Sequence, residues 1–389
     1  MRKILCLSTS NYDPVPTRKQ NVMNRMTDAR VLYVDPPVTL LAPFKDPSTR
    51  ERLKAYLLGG RQSRSHLTVY ASPPILPFYN KMRFLNQRNQ KKLAAYLKGI
   101  LLENGFGTDF FLWCYSPASA DLIEPLAEAL GMDPGEIWQR TIYDCVDRHS
   151  AYPGMIDPRV VDAMEEDLAR KASTVFTTAR GLYDRLSVLN RNTHMIPNGV
   201  DYDLFSTVAG RAPDRERPLT FGFVGMLQEC IDYDCIRAVA RAYPEGKVVL
   251  VGRALPGVDL GWIRDFPNVT CMGLVPQDRL PEIIRNFHVC MNVFIDNELS
   301  KDVSPLKFYE YLATGKPVVS MPAPLQVKDF ADCIYLAASV EEFVEKCGEA
   351  AGEAPGDPRK AERMRRAGES SWEERLRAMR GVLGWNQQE

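Results

Sequence analysis

The sequence predicts an α/β protein with two doubly wound parallel sheets. Short apolar runs of strand length alternate along the chain with longer segments of helical period, a pattern typical of parallel α/β units. The alternation forms two series, separated at 209–218 by a segment rich in Pro, Gly and charge. A length of 389 residues also fits more than one domain. We therefore expect two domains, each built on its own sheet.

The first series predicts seven strands and five helices. The strands are expected at 4–7, 29–34, 67–71, 110–115, 141–143, 174–177 and 193–196. The helices are expected at 20–26, 79–102, 118–130, 159–171 and 181–189. The apolar run after Met1-Arg-Lys is too short for a signal peptide and is expected to form the first buried strand.

The second series predicts six strands and five helices. The strands are expected at 220–224, 247–251, 269–272, 289–293, 317–320 and 333–336. The helices are expected at 235–242, 260–265, 277–286, 305–313 and 340–350. A break at 352–359 precedes a final helix. We place the domains at 1–205 and 206–365, with the final helix at 366–389.

Composition excludes several classes of protein. The formal net charge is +0, so bulk charge does not indicate nucleic-acid binding, and no recognition module is apparent. The nine cysteines include no CxxC pair, which favours free thiols in a reducing cytoplasm over disulfides or a structural zinc site. No stretch approaches the ~20 apolar residues of a membrane span. We expect a cytoplasmic protein.

One stretch is strongly basic. Between Lys45 and Lys98 there are twelve Lys or Arg against two acidic residues, and leucines and aromatic residues stand among them. Such a mixture suits contact with an anionic membrane surface. A solvated basic face is the alternative.

The segment Ser304–Ser320 predicts a helix that begins at an anion site. Ser304 is a suitable N-cap and Pro305 suits the first turn, while Gly315 is a suitable helix end before the strand at 317–320. Free amides and the positive dipole end at such a start favour a phosphate. We therefore expect the residues Ser304, Pro305 and Leu306 to face a bound phosphate.

Two charged residues strengthen this prediction. Lys307 adds a full positive charge near the helix start. Glu310 lies further along the helix, about one phosphate-to-ribose length away, where a carboxylate can accept hydrogen bonds from two sugar hydroxyls.

This segment resembles the nucleotide-sugar site of GT-B glycosyltransferases, in particular the large retaining family of capsule and cell-wall polysaccharide transferases. That family has an acidic residue, seven residues and then Glu, and Asp302-x7-Glu310 fits with Asp in the first position. The whole chain is similar to the teichuronic-acid-type transferases. The resemblance implies two Rossmann-like domains facing a central cleft, with the last helix crossing back to the first domain.

The resemblance also implies further donor contacts. The loop at Gly225 would lean on the donor phosphates, although Met226 and Leu227 stand where the family often has a cation. Arg253, at a strand end, would then share the phosphate charge with Lys307. The backbone at Leu274 and Val275 resembles the segment that holds the base. Asp302 would contact the transferred sugar.

Acceptor candidates follow two strands of the first series. Asp147 aligns with a family His that touches the donor sugar, and Asp144 and His149 flank it. Arg18 begins a helix after the first loop and is a further acceptor candidate. Helix capping or solvation is the alternative role for each of these residues.

Two DxD sequences, Asp201-Tyr-Asp203 and Asp232-Tyr-Asp234, match a metal-diphosphate signature of another transferase fold. We interpret both as structural and expect no essential metal and no cofactor.

The predicted function is transfer of a sugar from a nucleoside diphosphate, most simply UDP, to a saccharide or lipid-linked saccharide acceptor. The resemblance implies retention of anomeric configuration through a front-face mechanism, with Asp147, Asp302 and Lys307 at the reaction centre. A UDP-sugar 2-epimerase-like enzyme and a non-catalytic nucleotide-sugar-binding protein are the alternatives. A nicotinamide dehydrogenase is disfavoured, since no strand ends in GxGxxG.

Overall fold

The computed structural model describes residues 1–42, 48–59, 61–152, 154–209, 218–297 and 302–385. The chain divides into two compact units, one of Met1–Ile196 with Val382–Glu389 and one of Pro197–Gly381. The predicted linker lies mostly in 210–217, outside the described residues. The first unit ends nine residues before the boundary we placed at 205, because the following segment is bound into the second unit.

The contacts of that segment explain the difference. Asn198 donates from its Nδ2 atom to the Ser304 carbonyl at 2.7 Å. Val200 pairs with Ser371 in an isolated parallel bridge. Both partners belong to the second unit, so residues 197–205 are the beginning of that unit rather than the end of the first.

The first unit contains eight strands and seven α-helices among the described residues. The strands are β1 (Arg2–Leu7), β2 (Ala29–Val34), β3 (Arg61–Arg64), β4 (Leu67–Tyr70), β5 (Phe111–Cys114), β6 (Thr141–Cys145), β7 (Thr174–Thr177) and β8 (Thr193–Met195). The helices are α1 (Arg18–Arg25), α2 (Ser48–Leu57), α3 (Arg83–Glu103), α4 (Ile123–Leu130), α5 (Pro134–Trp138), α6 (Pro158–Lys171) and α7 (Arg180–Ser187).

The first sheet has the order β3-β4-β2-β1-β5-β6-β7-β8. Every pairing is parallel except the antiparallel contact of β3 with β4. Strand β1 pairs with β2 on one side and β5 on the other, so the strand order reverses between β1 and β5. Helices cover such a parallel sheet on both faces, and its central strands are accordingly largely buried. Ile4, Leu5 and Cys6 are fully buried.

The second unit contains six strands and seven α-helices among the described residues. The strands are β9 (Thr220–Val224), β10 (Lys247–Val251), β11 (Val269–Cys271), β12 (Val289–Asn292), β13 (Val318–Ser320) and β14 (Tyr335–Leu336). The helices are α8 (Tyr202–Ser206), α9 (Tyr233–Ala242), α10 (Leu280–Arg285), α11 (Leu306–Thr314), α12 (Val340–Ala351), α13 (Pro358–Glu369) and α14 (Trp372–Val382).

The second sheet is entirely parallel, with the order β11-β10-β9-β12-β13-β14. All five residues of β9 are buried, as expected for the central strand of a parallel sheet. Two doubly wound parallel-sheet units are therefore present, and the predicted fold class is confirmed.

The predicted elements differ from the observed ones mainly in polar segments, which form helices or strands through contacts with other parts of the fold. Strand β3 and helices α2, α5, α8 and α13 were not predicted. The predicted helix at 118–130 begins as a 3-10 turn at Pro117–Asp121 before α4, and the one at 260–265 is a 3-10 turn throughout. Among the described residues, no helix is long and apolar enough to cross a membrane.

The end of the chain returns to the first unit. Trp385 packs edge-on against Phe111, with ring centroids 4.6 Å apart, and lies 6.4 Å from Trp113. The Arg2 guanidinium lies over the same ring, 5.2 Å from its centroid. The predicted final helix at 366–389 corresponds to α14, which ends at Val382, and only the residues from Val382 onward belong to the first unit.

Candidate functional site

The second sheet has its topological switch point between β9 and β12. The chain continues from β9 to β10 on one side, while β12 lies on the other side of β9. Ligands of open α/β sheets bind at the carboxyl ends of the strands beside such a point. The loop at Gly225 follows β9, and helix α11 follows β12. Both predicted phosphate-binding elements therefore start from the strands that flank the switch point.

The loops after β9 and β10 run in close backbone contact. Gly252 has a φ of 150°, and a Cβ atom there would lie 1.7 Å from the Gly225 carbonyl oxygen. The Leu227 amide donates to the Arg253 carbonyl at 3.0 Å. Only glycine permits this approach at position 252. These contacts therefore hold the Gly225 loop in place at the end of the sheet.

Helix α11 begins one residue later than predicted. Pro305 is the N-cap, in an extended conformation, and its side chain makes no capping hydrogen bond. Ser304 lies one position outside it, where its Oγ atom accepts a hydrogen bond from the Asn198 amide at 3.1 Å. The expectation that Ser304 caps the helix is therefore corrected. Pro305 has no side-chain acceptor for the amides of the first turn, which suits a bound anion.

Lys307 and Glu310 form an ion pair on the first turns of α11. The Lys307 Nζ atom lies 2.9 Å from each Glu310 carboxylate oxygen and donates a hydrogen bond to Oε1. Gln277 donates to the same Oε1 atom at 3.4 Å. Glu310 is almost wholly buried, and its Oε2 atom is paired with the Lys307 ammonium at 2.9 Å, although no described residue meets it in good hydrogen-bond geometry.

Burial sets the electrostatics of this pair. Loss of solvent raises the pKa of the Glu310 carboxyl above its ordinary value, and Lys307 opposes that rise. A ligand hydroxyl that donates to Oε2 would add a hydrogen bond to this buried carboxylate. The pair therefore presents one cation and one hydrogen-bond acceptor close to the start of α11.

Two contacts tie α11 to the ends of the sheet strands. The Tyr311 hydroxyl accepts from the Val224 amide at 2.6 Å and donates to the Val224 carbonyl at 3.3 Å. Val275 packs in one apolar cluster with Val224 and Phe308. The structure thus brings α11 together with the residue that precedes Gly225 and with the predicted base-binding segment.

The other predicted donor residues are placed as follows. Asp302 is buried beside the start of α11. Leu274 is half exposed, and the Arg253 side chain is exposed. Val275 points partly into the core, so a role in base binding would use its backbone.

Sequence reasoning missed Gln277, Tyr311 as a hydrogen-bonding residue, and Asn198. Gln277 was expected only as a helix start, and nothing local indicates that its amide meets Glu310. Tyr311 was assigned to the apolar stripe of its helix. Asn198 lies in an Asn-Gly-Val-Asp connector whose partner is more than one hundred residues away. Each of these contacts depends on tertiary proximity.

In the first unit, Arg18 and Asp144 form a buried ion pair rather than an open acceptor site. Arg18 Nε lies 3.0 Å from both Asp144 oxygens, and its Nη1 atom donates to the Ile196 carbonyl at 2.9 Å. The two side chains are 2% and 0% exposed. They are occupied with each other inside the unit, so we do not retain the expected acceptor role for either residue.

Asp147 and His149 follow β6, as predicted, and are partly accessible. Burial lowers the pKa of His149, which favours the neutral ring at neutral pH.

Lys19, which the sequence did not single out, is buried, and its ammonium lies 5.6 Å from the centre of the Tyr115 ring. Burial lowers the pKa of Lys19, while Asp147 and Asp144 oppose the effect.

The first aspartate of each DxD sequence caps a helix. Asp201 accepts from the Leu204 amide at 3.2 Å, and Asp232 accepts from the Asp234 and Cys235 amides at 3.0 and 3.1 Å. Over the described ranges, no group of three or more His, Cys, Asp or Glu side chains is arranged to hold a metal ion.

The chain is similar to known proteins in both sequence and fold. The family described as "Glycosyl transferase-like" matches residues 233–380, which lie in the second unit. A putative teichuronic acid biosynthesis glycosyltransferase, TuaH of Bacillus subtilis (strain 168), is 24% identical over 256 residues. That match covers 60% of this chain and 64% of the relative, so just under two thirds of the relative's length is matched.

Solved structures match over nearly the whole chain. Anabaena Alr3699/HepE in complex with UDP and glucose has a TM-score of 0.67 at 14% identity, covering 99% of this chain and 100% of that chain. The α,α-trehalose 6-phosphate synthase of Burkholderia multivorans has a TM-score of 0.67 at 10% identity, covering 99% and 98%. The chain therefore has the GT-B fold, and residues 233–380 of its second unit are similar to the glycosyl transferase-like family.

Proposed function

We propose that this protein is a glycosyltransferase that transfers a sugar from a UDP-sugar to a saccharide or lipid-linked saccharide acceptor. The observation that supports it most is the start of α11, where the first-turn amides, the Lys307 ammonium and the buried Glu310 carboxylate lie together. The family match falls on the same unit. Relatives with this fold have been solved with UDP and with UDP-2-fluoro glucose.

The donor's polar groups match these features. The free amides of the first turn and Lys307 would stabilise the negative charge of the diphosphate, most of all as UDP departs. Glu310 Oε2 would accept a ribose hydroxyl, and Leu274 and Val275 would hold the base through their backbone. Asp302 is proposed to contact the transferred sugar and Asp147 a sugar or acceptor hydroxyl. Retention and a metal-independent reaction are part of the same proposal.

Release of UDP tests this proposal directly. The full-length protein is incubated with UDP-glucose, UDP-galactose, UDP-N-acetylglucosamine or UDP-glucuronate, with and without a mixture of methyl glycosides, in the presence of EDTA. We expect slow donor hydrolysis with at least one UDP-sugar. Acceptor should stimulate it, and a new glycoside should form with the donor's anomeric configuration.

Other outcomes separate the alternatives. A change of the sugar at C2 without UDP release would indicate an epimerase. Calorimetric binding of UDP-sugars without turnover would indicate a binding protein. Absence of UDP binding by the intact protein would contradict the donor site itself.

We also propose peripheral contact with anionic membranes through the first unit. Leu57 and Leu58, at and after the end of α2, are 70% and 85% exposed. An apolar groove of about 420 Å³, lined in part by Leu41, Phe78 and Met155, opens on the same unit. Exposed apolar side chains among the cations of 45–98 favour insertion at an anionic interface.

Vesicle sedimentation tests membrane contact. The double substitution Leu57→Ser and Leu58→Ser should weaken binding to phosphatidylglycerol-containing vesicles by about tenfold or more, because each leucine buried in lipid contributes about 1.5–3 kcal/mol. Leu102→Ser and Val188→Ser, at other exposed positions, serve as controls. Equal binding to uncharged vesicles, or no effect of the first pair, would contradict the proposal.

A further inference from the structure

The first unit contains a polar cavity at its own topological switch point. The cavity has a volume of about 240 Å³ and lies where β1 and β5 end, between Ser8 and Thr9 on one side and Ser116 on the other. Its remaining polar lining comes from Asp35, Ser72, Tyr79, Asn86, Gln90 and His149, among others. Pockets that hold drug-sized ligands measure about 300–1,000 Å³, so this smaller cavity suits a single small ring.

Gln90 presents an unsatisfied acceptor in this cavity. Its Nε2 atom donates to Asn86 Oδ1 at 3.1 Å, and Asn86 Nδ2 donates to the Ala118 carbonyl at 2.9 Å. This chain of bonds fixes the amide, so the Gln90 Oε1 atom is left without a donor among the described residues. Gln90 is 9% exposed. A buried acceptor of this kind is unfavourable until a donor reaches it.

A second buried polar atom lines the same cavity. The His149 Nε2 atom has no hydrogen-bond partner within the part of the chain that the structure describes. Since burial keeps the His149 ring neutral, this nitrogen can exchange a hydrogen bond with a hydroxyl but carries no charge. Gln90 and His149 together therefore offer hydrogen bonds to an uncharged ligand rich in hydroxyl groups.

The charge of the cavity is negative. Asp35 follows β2, and its Oδ1 atom accepts from the Tyr12 amide at 2.8 Å. Burial raises the pKa of Asp35 to about 6, so the carboxylate is mostly ionised at neutral pH. No Lys or Arg is found among the described residues that line the cavity. The Arg52 guanidinium, which donates to the Pro36 carbonyl, also acts on Asp35 and opposes the rise of its pKa, but Arg52 does not line the cavity.

We propose that this cavity binds an uncharged, hydroxyl-rich sugar ring of the acceptor and rejects phosphorylated and uronic acid rings. Hydroxyl donors would satisfy Gln90 Oε1, and Asp35 would accept from a further hydroxyl while repelling an anion. That the sugar ring belongs to an acceptor rests on the proposed function. The inference is tested without donor, so its failure is separate from failure of sugar transfer.

The experiment measures binding of methyl glycosides to the full-length protein by saturation-transfer NMR. The panel contains methyl glucoside, methyl galactoside and methyl N-acetylglucosaminide, with methyl glucuronide, methyl galacturonide and glucose 6-phosphate as the charged probes. We expect at least one uncharged glycoside to bind at least tenfold more tightly than its charged counterparts. Equal binding of both kinds, or no binding of any uncharged glycoside, would overturn the inference.

Two variants locate the site. Gln90→Met should weaken binding of the uncharged glycoside about tenfold, whereas Gln87→Met, at an exposed position of the same helix, should not. Asp35→Asn should gain binding of the uronide, whereas Asp109→Asn should not. UDP binding by calorimetry should stay unchanged in all four variants. If Gln90→Met fails to fold, the Asp35→Asn variant still tests the proposal. If that variant prefers uncharged glycosides over uronides as strongly as the wild type does, the proposal is contradicted.

Discussion

Replacing Lys307 with alanine should weaken UDP binding about 10- to 100-fold, because a hydrogen bond to a charged group contributes about 1.5–3 kcal/mol and each 1.4 kcal/mol is about tenfold in affinity. The ammonium lies between the two oxygens of Glu310 at the start of α11. It would there neutralise a diphosphate seated on the first-turn amides. Transfer should slow by more than binding weakens, since the charge on UDP grows as the sugar leaves.

Glu310→Gln should separate binding from stability. The amide keeps the shape of the side chain but loses the ionised acceptor proposed for the ribose, so UDP affinity should again fall about tenfold or more. Burial already raises the pKa of the Glu310 carboxyl, which means that folding disfavours its charge. The neutral variant should therefore unfold at the same temperature as the wild type or slightly above it.

The chain offers a matched control for both substitutions. Lys346 and Glu349 form another i,i+3 pair with a 2.9 Å separation, and the two lysines, Lys307 and Lys346, are each 29% exposed. Lys346→Ala and Glu349→Gln should leave UDP binding unchanged in calorimetry. If Lys307→Ala and Glu310→Gln also bind UDP with wild-type affinity, the proposed donor site is incorrect.

Asp144→Asn should destabilise the first unit by about 3–5 kcal/mol, the usual cost of removing one partner of a buried ion pair. Arg18 is 2% exposed and bonded through Nε to both Asp144 oxygens. Without the carboxylate, the buried Arg18 charge would lose the oppositely charged partner that its Nε atom bonds. Thermal and urea unfolding of the full-length protein would measure the loss.

Two further variants test whether the loss of stability in Asp144→Asn comes from the unpaired charge of Arg18. Asp109→Asn breaks the exposed pair with Arg140, and should cost no more than about 1 kcal/mol. Arg18→Met combined with Asp144→Leu should recover much of the stability, since apolar residues of similar volume often replace a buried pair. Should Asp144→Asn instead keep full stability and lose saccharide binding, the acceptor role first expected for Asp144 would be restored.

Much of the fold could be predicted because parallel strands are buried on both faces. Strands β7, β9 and β10 begin and end at the predicted residues, since each is a nearly continuous run of buried apolar side chains. Strand β3 has the sequence Arg-Gln-Ser-Arg and no apolar pattern. It forms because β4 presents an edge with which it pairs in antiparallel register.

Helix α13, which begins within the break placed at 352–359, was missed for a related reason. Helix α13 is highly charged, yet it places Arg363 wholly inside the unit. There Arg363 donates to the Cys333 carbonyl at 2.9 Å, to the Gly315 carbonyl at 3.0 Å and to the Glu353 carboxylate. A buried arginine with acceptors supplied by three distant segments cannot be recognised from local periodicity.

The amino-acid sequence alone determined the two-sheet α/β plan, the end of α11 at Gly315 and the charged pair at its start. These features depend on local rules: apolar runs, the left-handed backbone at Gly315 and i,i+3 spacing. Tertiary structure alone decided that Ser304 bonds to Asn198, that Gln277 meets Glu310, and that Arg18 is neutralised by Asp144. A polar side chain removed from water takes whichever partner the fold brings within reach, and that partner is set by packing rather than by neighbours in the sequence.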